Sequence, residues 1–161
     1  MPQKILILCM LLLGQNLFAL NATAIQWKNF DKGMQEANGS KKYTFVSVYT
    51  DWCGYCRKLE ETTFKAKPVI GELGKNFVSI KLNAESDEMV HWQGQSISAR
   101  ELVGRWGVTG FPTMLFLNSK GDIIGTFPSY AEADLMVKLL TYISSGAREK
   151  NISFEDFINK A

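Results

Sequence analysis

A run of β-branched and aromatic residues, "YTFVSVYT" (Tyr43 to Thr50), passes without a linker into "DWCGYCRKLEETTF". The first run has the composition of a buried strand. The second carries Cys53 and Cys56 three apart at the head of a charged, helix-like segment. A strand therefore flows directly into a helix, and two thiols sit at the seam. What that pair does depends on what the rest of the chain can build around it.

Upstream, "IQWKNFDKGMQEA" puts Trp27, Phe30, Met34 and Ala37 on one face at helical spacing, which predicts an amphipathic first helix ended by the polar "NGSKK". The helix opened by the cysteine pair is expected to run to about Thr62, and Pro68 starts a second helical piece to about Asn76. "FVSIKLN" (Phe77 to Asn83) is the next strand. Residues 84–97 are polar and read as irregular, with a turn at Gln93-Gly94-Gln95. Ser98 and Glu101 form a capping box for a helix to about Trp106. "TMLFLN" and "IIGTF" make an antiparallel pair around the "SKGD" turn, Ala131 to Ser144 is an amphipathic helix, and Ser153 to Asn159 a short last one. This order predicts an α/β domain: a mixed central sheet with helices on both faces.

The chain has 161 residues, enough for one domain with a substantial core. A net charge of +2 gives no reason to expect nucleic acid or an anionic membrane as partner. The N-terminal "ILILCMLLL" (Ile5 to Leu13) follows Lys4 and falls short of the ~20 apolar residues a spanning helix needs. It reads as the apolar part of a secretory signal over residues 1–24, cleaved after Ala24 or alternatively after Ala19. The mature domain is then 25–161, with a helical tail from about residue 146. Export removes Cys9 and leaves Cys53 and Cys56 as the whole thiol inventory.

Three roles compete for that pair. A metal site needs three or four ligands, and the single histidine, His91, lies about 35 residues downstream with nothing spaced to complete a set; no metal is expected, and His91 reads as an ordinary polar residue. A structural staple would close a very short loop, where cross-linking stabilises least. A redox pair has a mechanism. At a helix N-terminus the macrodipole and unpaired N–H groups favour thiolate. Cys53 is then expected to be the exposed nucleophile, with Cys56 more buried and resolving the mixed disulfide.

The motifs that accumulate around the pair resemble the thioredoxin family. "WCGYC" is similar to the family's W-C-G-x-C, "KLN" (Lys81 to Asn83) sits on the following strand, and "GVTGFPT" (Gly107 to Thr113) resembles the loop that carries the family's cis-proline. The resemblance spans the mature chain and implies the thioredoxin fold, with Pro112 cis and the Phe111 backbone facing Cys53. Trp52, Gly54, Tyr55, Phe111 and Pro112 would then form the surface that meets a client. Within the family, the chain looks most like periplasmic thioredoxin-like proteins of the SoxW type and the C-terminal domain of the electron conductor DsbD. Those resemblances imply a monomeric periplasmic enzyme without a bound cofactor, fed by a DsbD-type membrane donor and reducing disulfides of client proteins.

The pattern departs from the family in places. Ser47 stands six residues before Cys53, where thioredoxins carry a buried aspartate. Glu60 matches a carboxylate of the DsbD-type domain, and the resemblance implies that Glu60, paired with Lys81, manages the proton of the resolving thiol. Ser129 replaces a frequent glycine. The Gly54-Tyr55 dipeptide is also similar to that of disulfide isomerases of the DsbC type, which keeps isomerisation as an alternative. A peptide-binding module with inert cysteines is the non-catalytic one.

Overall fold

The computed structural model describes residues 23–160. The signal segment expected over 1–24 lies outside the described residues except for its last two. A five-stranded mixed sheet forms the centre, in the order β1 (Trp27–Lys28), β3 (Phe77–Asn83), β2 (Tyr43–Tyr49), β6 (Thr113–Leu117), β7 (Ile123–Phe127). The first three strands run parallel, β6 is antiparallel to β2, and β7 is antiparallel to β6.

Alternation along the strands divides the core in two. Phe45, Phe77, Met114 and Phe116 project to one face, where α2 (Gly54–Glu61), α3 (Lys67–Asn76) and α5 (Ala133–Ser144) cover them with Leu59, Val69, Ile70, Leu73 and Leu140. Val46, Val48, Ile80, Leu82, Leu115 and Leu117 project to the other. There α1 (Phe30–Asn38) and α4 (Ala99–Arg105) supply Phe30, Leu102 and Val103. Burial on both faces is why β2 and β6 read as nearly continuous apolar runs. Helix α1 comes closest to the sheet at Gly33, where a Cβ would collide with the Ile80 side chain.

The structure corrects the sequence reading in two stretches. The first helix does not include Trp27. Trp27 and Lys28 pair with Ser79 and Ile80 as an edge strand, and Asn29 then caps α1 by accepting the Lys32 N–H at 3.1 Å. Residues 84–97 are not irregular throughout: β4 (Met89–Trp92) and β5 (Gln95–Ser98) form a separate hairpin. Its two-residue turn has Gln93 at φ 50° and Gly94 at φ 77°, the left-handed pair that a tight hairpin turn requires. Only Val90 and Ile97 of the hairpin are fully buried, with Trp92 half-buried against Phe30 and Trp106, too few to leave a strand signature. His91 lies on this hairpin and ties it to α1, its N–H and Nδ1 meeting the two Asp31 carboxylate oxygens at 2.8 and 2.7 Å. Burial tends to raise the Asp31 pKa, but the His91 contacts outweigh it and hold the carboxyl below its usual range.

The C-terminal segment packs onto α5. Phe154 and Phe157 of α6 (Phe154–Asn159) each lie 5.4 Å from the Tyr142 ring, and the Tyr142 hydroxyl donates to the Ile152 carbonyl. Among the described residues no helix is long and apolar enough to cross a membrane.

Candidate active site

The C-terminal end of β2 delivers the chain into the turn Thr50–Cys53, closed by the Cys53 N–H donating to the Thr50 carbonyl at 3.2 Å. Cys53 has extended backbone and caps α2: its Sγ accepts the Cys56 N–H at 3.1 Å, and its carbonyl accepts the Arg57 N–H. No acidic residue stands in the first turn of α2, so nothing there opposes the positive end of the helix. The two cysteines are joined as a disulfide. The expected contrast in exposure is absent in this oxidised state: Cys53 is 4% and Cys56 6% exposed. Exposure therefore does not separate the two residues; position does. Cys53 is the cap, whereas Cys56 lines a pocket beneath the helix.

That pocket, of about 190 Å³, is also lined by Ser47, Tyr49, Thr50, Asp51, Arg57, Leu59, Glu60 and Lys81. Glu60 and Lys81, from α2 and β3, meet there as an ion pair at 2.7 Å, each about one-third exposed. Lys81 Nζ also sits over the Tyr49 and Trp27 rings at 5.3 and 5.4 Å, so the pair is held between aromatic faces. Burial, with the charges of Asp51, Glu60 and Glu88, pushes the Tyr49 hydroxyl up, and it stays protonated at neutral pH. Ser47 lies at the inner wall, and the buried Thr50 hydroxyl has no hydrogen-bond partner among the described residues.

On the solvent side the disulfide is flanked by aromatic rings. Val48 is in register with Thr113, which brings the two residues before Thr113 alongside the Thr50–Cys53 turn. Those two, Phe111 and Pro112, are joined by a cis peptide bond. The Phe111 ring meets Trp52 edge to face at 6.0 Å, and Trp52 is 65% exposed. On the other side Tyr55, 63% exposed, lies 6.1 Å from Tyr130, which Lys58 covers at 4.5 Å from the ring centre. Gly54 is exposed between the two walls and Pro112 is buried.

The structure thus gathers Trp52, Cys53, Gly54, Tyr55, Cys56, Phe111 and Pro112 at the C-terminal end of the central strand β2, with Glu60 and Lys81 in the pocket that Cys56 lines. Three participants carry no sequence signal. Tyr130 looks like any loop tyrosine, and Thr50 like the last residue of its strand. Glu85, whose Oε1 accepts the Trp52 indole N–H at 3.0 Å, depends on the path of a loop.

A family model described as "Thioredoxin-like domain" matches residues 30–144. Protein disulfide isomerase-like 5-2 of Oryza sativa subsp. japonica is 31% identical over 111 residues, 68% of this chain and 23% of that protein. The thiol:disulfide interchange protein DsbD of Photorhabdus laumondii is 28% identical over 111 residues, 68% of this chain and 17% of that protein. This chain therefore matches about a fifth of the length of either relative. In fold it is similar to a thioredoxin-fold protein from Helicobacter pylori, with a TM-score of 0.62 at 20% identity, covering 74% of this chain and 80% of that one.

Proposed function

The chain belongs to the thioredoxin-like family and is a thiol–disulfide oxidoreductase built on the Cys53–Cys56 pair, and from that premise we propose that it works outside the cytoplasm as a reductase of client protein disulfides. In the reduced form the Cys53 thiolate attacks one sulfur of a client cystine. The client S–S bond breaks, a mixed disulfide forms, and the released client thiolate takes up a proton. Cys56 then loses its proton and attacks Cys53 Sγ. The second client thiol leaves, and the enzyme is left as the Cys53–Cys56 disulfide. Two electrons and two protons have passed to the client, and an external dithiol donor must restore them.

The observation that carries this reading is the Glu60–Lys81 pair in the pocket that Cys56 lines. With serine at position 47, Glu60 is the carboxylate that takes the Cys56 proton, and Lys81 holds it in place. Replacing Glu60 by glutamine should slow exchange at pH 7 by roughly tenfold. That is below the ~10²–10⁴ typical of a committed general base, because water entering the pocket can substitute. An unchanged stopped-flow rate for Glu60→Gln would remove Glu60 from the mechanism.

Similarity to the thiol:disulfide interchange protein DsbD supports exchange with a partner dithiol, and reduction of the client is the direction we assign to it. A donor of that type, the periplasm as compartment, a cleaved leader over 1–24 and a monomeric mature domain from Ile25 belong to the same proposal. Isomerisation is the second reading, favoured by the relatives named disulfide isomerases. The reduction potential separates the two. Titrated in a redox buffer, a reductase should lie near about −270 mV, whereas about −180 mV or higher would turn the assignment to isomerisation or oxidation.

A further inference from the structure

An indole as exposed as that of Trp52 ordinarily samples several rotamers, and a mobile ring makes a poor docking wall. This one is held twice, by the Phe111 ring and by the hydrogen bond from Nε1–H to Glu85 Oε1. Glu85 is itself exposed, yet its backbone is fixed on both sides. Its N–H donates to Asn83 Oδ1 at 2.9 Å, and its carbonyl accepts from the Arg100 guanidinium at 2.7 Å. Asn83 Nδ2 in turn donates to the Asp51 carboxylate at 3.3 Å, one residue before Trp52, and the Ala84 N–H donates to the Tyr49 carbonyl at 2.8 Å. Arg100 also binds Asp87, and its N–H donates to the Ser86 carbonyl. Residues 83–87 are therefore strapped to the end of β2 on one side and to α4 on the other. Among the described residues Glu85 makes no ion pair, so its carboxylate is committed to the indole.

We propose that Glu85 is a positioning residue that fixes the Trp52 ring as one wall of the client-docking rim, and so favours clients whose cystine is flanked by an apolar or aromatic side chain. The inference rests on the reading of Trp52 and Phe111 as that rim. A wall set before encounter spares the client the cost of ordering it, and that advantage appears in KM rather than in the sulfur chemistry. Glutamine at position 85 keeps a carbonyl oxygen that accepts the indole N–H, whereas alanine does not.

The test compares wild type, Glu85→Gln and Glu85→Ala in reducing a cystine peptide flanked by phenylalanines, its serine-flanked counterpart and glutathione disulfide. Glu85→Ala should raise KM for the phenylalanine peptide roughly threefold to tenfold with kcat within about twofold. The other two substrates should be unaffected, and Glu85→Gln should restore wild-type behaviour. In parallel the Trp52 indole N–H resonance should shift and broaden in Glu85→Ala but not in Glu85→Gln. The proposal is overturned if all three proteins share one KM for the phenylalanine peptide, if glutamine is as damaging as alanine, or if the serine peptide suffers equally. Trp52→Ala separates the two levels. If it raises that KM while Glu85→Ala does not, only the role of Glu85 falls; if neither raises it, the rim itself is misplaced.

Discussion

Cys56→Ser should turn the enzyme into a trap that stays covalently joined to its clients. The first step of exchange needs only Cys53, whose place as cap of α2 is unaffected by a serine one turn further on. The second step needs a thiol at position 56, and a serine hydroxyl cannot displace a thiolate from a disulfide. The mixed disulfide therefore accumulates, and turnover falls on the order of 10³-fold or more, as expected when a covalent cycle loses an essential nucleophile. Non-reducing gels should show the adduct, and dithiothreitol should release it. Cys53→Ser should be equally inactive and form no adduct. The comparison matters because the two cysteines are about equally buried in the disulfide form, so accessibility does not assign their roles. An adduct with Cys53→Ser and none with Cys56→Ser would exchange nucleophile and resolver.

The elements that could be read in advance are those whose own residues determine them. β2, β3 and β6 are apolar through most of their length because both faces of the sheet are covered, and α4 begins at the Ser98 cap that accepts the Glu101 N–H. Elements that exist through a distant partner left little trace. β1 is two residues long and is held by its pairing with β3, so Trp27 looked like one more position on a helix face. The β4–β5 hairpin buries only Val90 and Ile97 fully, with Trp92 packed beside them on the core, and its attachment through His91 to Asp31 spans 60 residues.

The site divides along the same line. Its sulfur chemistry is contiguous, Trp52 to Cys56, and so was visible; Glu60 and Lys81 were paired through a resemblance and do meet at 2.7 Å. The strap from Asp51 through Asn83 and Glu85 to Arg100 is made of exposed polar residues that only the folded path brings together. The burial of Cys53 leaves no sequence signal for a related reason: exposure belongs to the neighbours a residue acquires rather than to its place at a helix start.

Phe45→Ala should be the most destabilising single change near the site that leaves its chemistry intact. Phe45 is fully buried at the middle of β2, with the rings of Phe116, Phe64 and Trp27 at 5.6, 6.0 and 6.1 Å. Those rings come from β6, from the 3₁₀ turn Thr63–Lys65 after α2, and from β1, so one side chain joins three separate pieces of the fold. Removing it costs the transfer energy of the ring and leaves a cavity that a sheet held in register on both sides of β2 cannot collapse to fill. The expected loss is about 3–5 kcal/mol, a large share of the ~5–15 kcal/mol that keeps a domain folded. For a domain of this size it should lower Tm by roughly 10–20 °C. Urea unfolding should show a lower midpoint at unchanged slope, since the surface exposed on unfolding barely changes. Phe45→Leu, which fills most of the space, should cost less than half as much. Well below its Tm the alanine variant should still exchange disulfides, because neither sulfur nor the Glu60–Lys81 pair contacts the cavity through a lost bond. A Tm within about 5 °C of wild type would mean that α2 and β1 close over the gap, and that the aromatic cluster is not what binds the redox helix to the sheet.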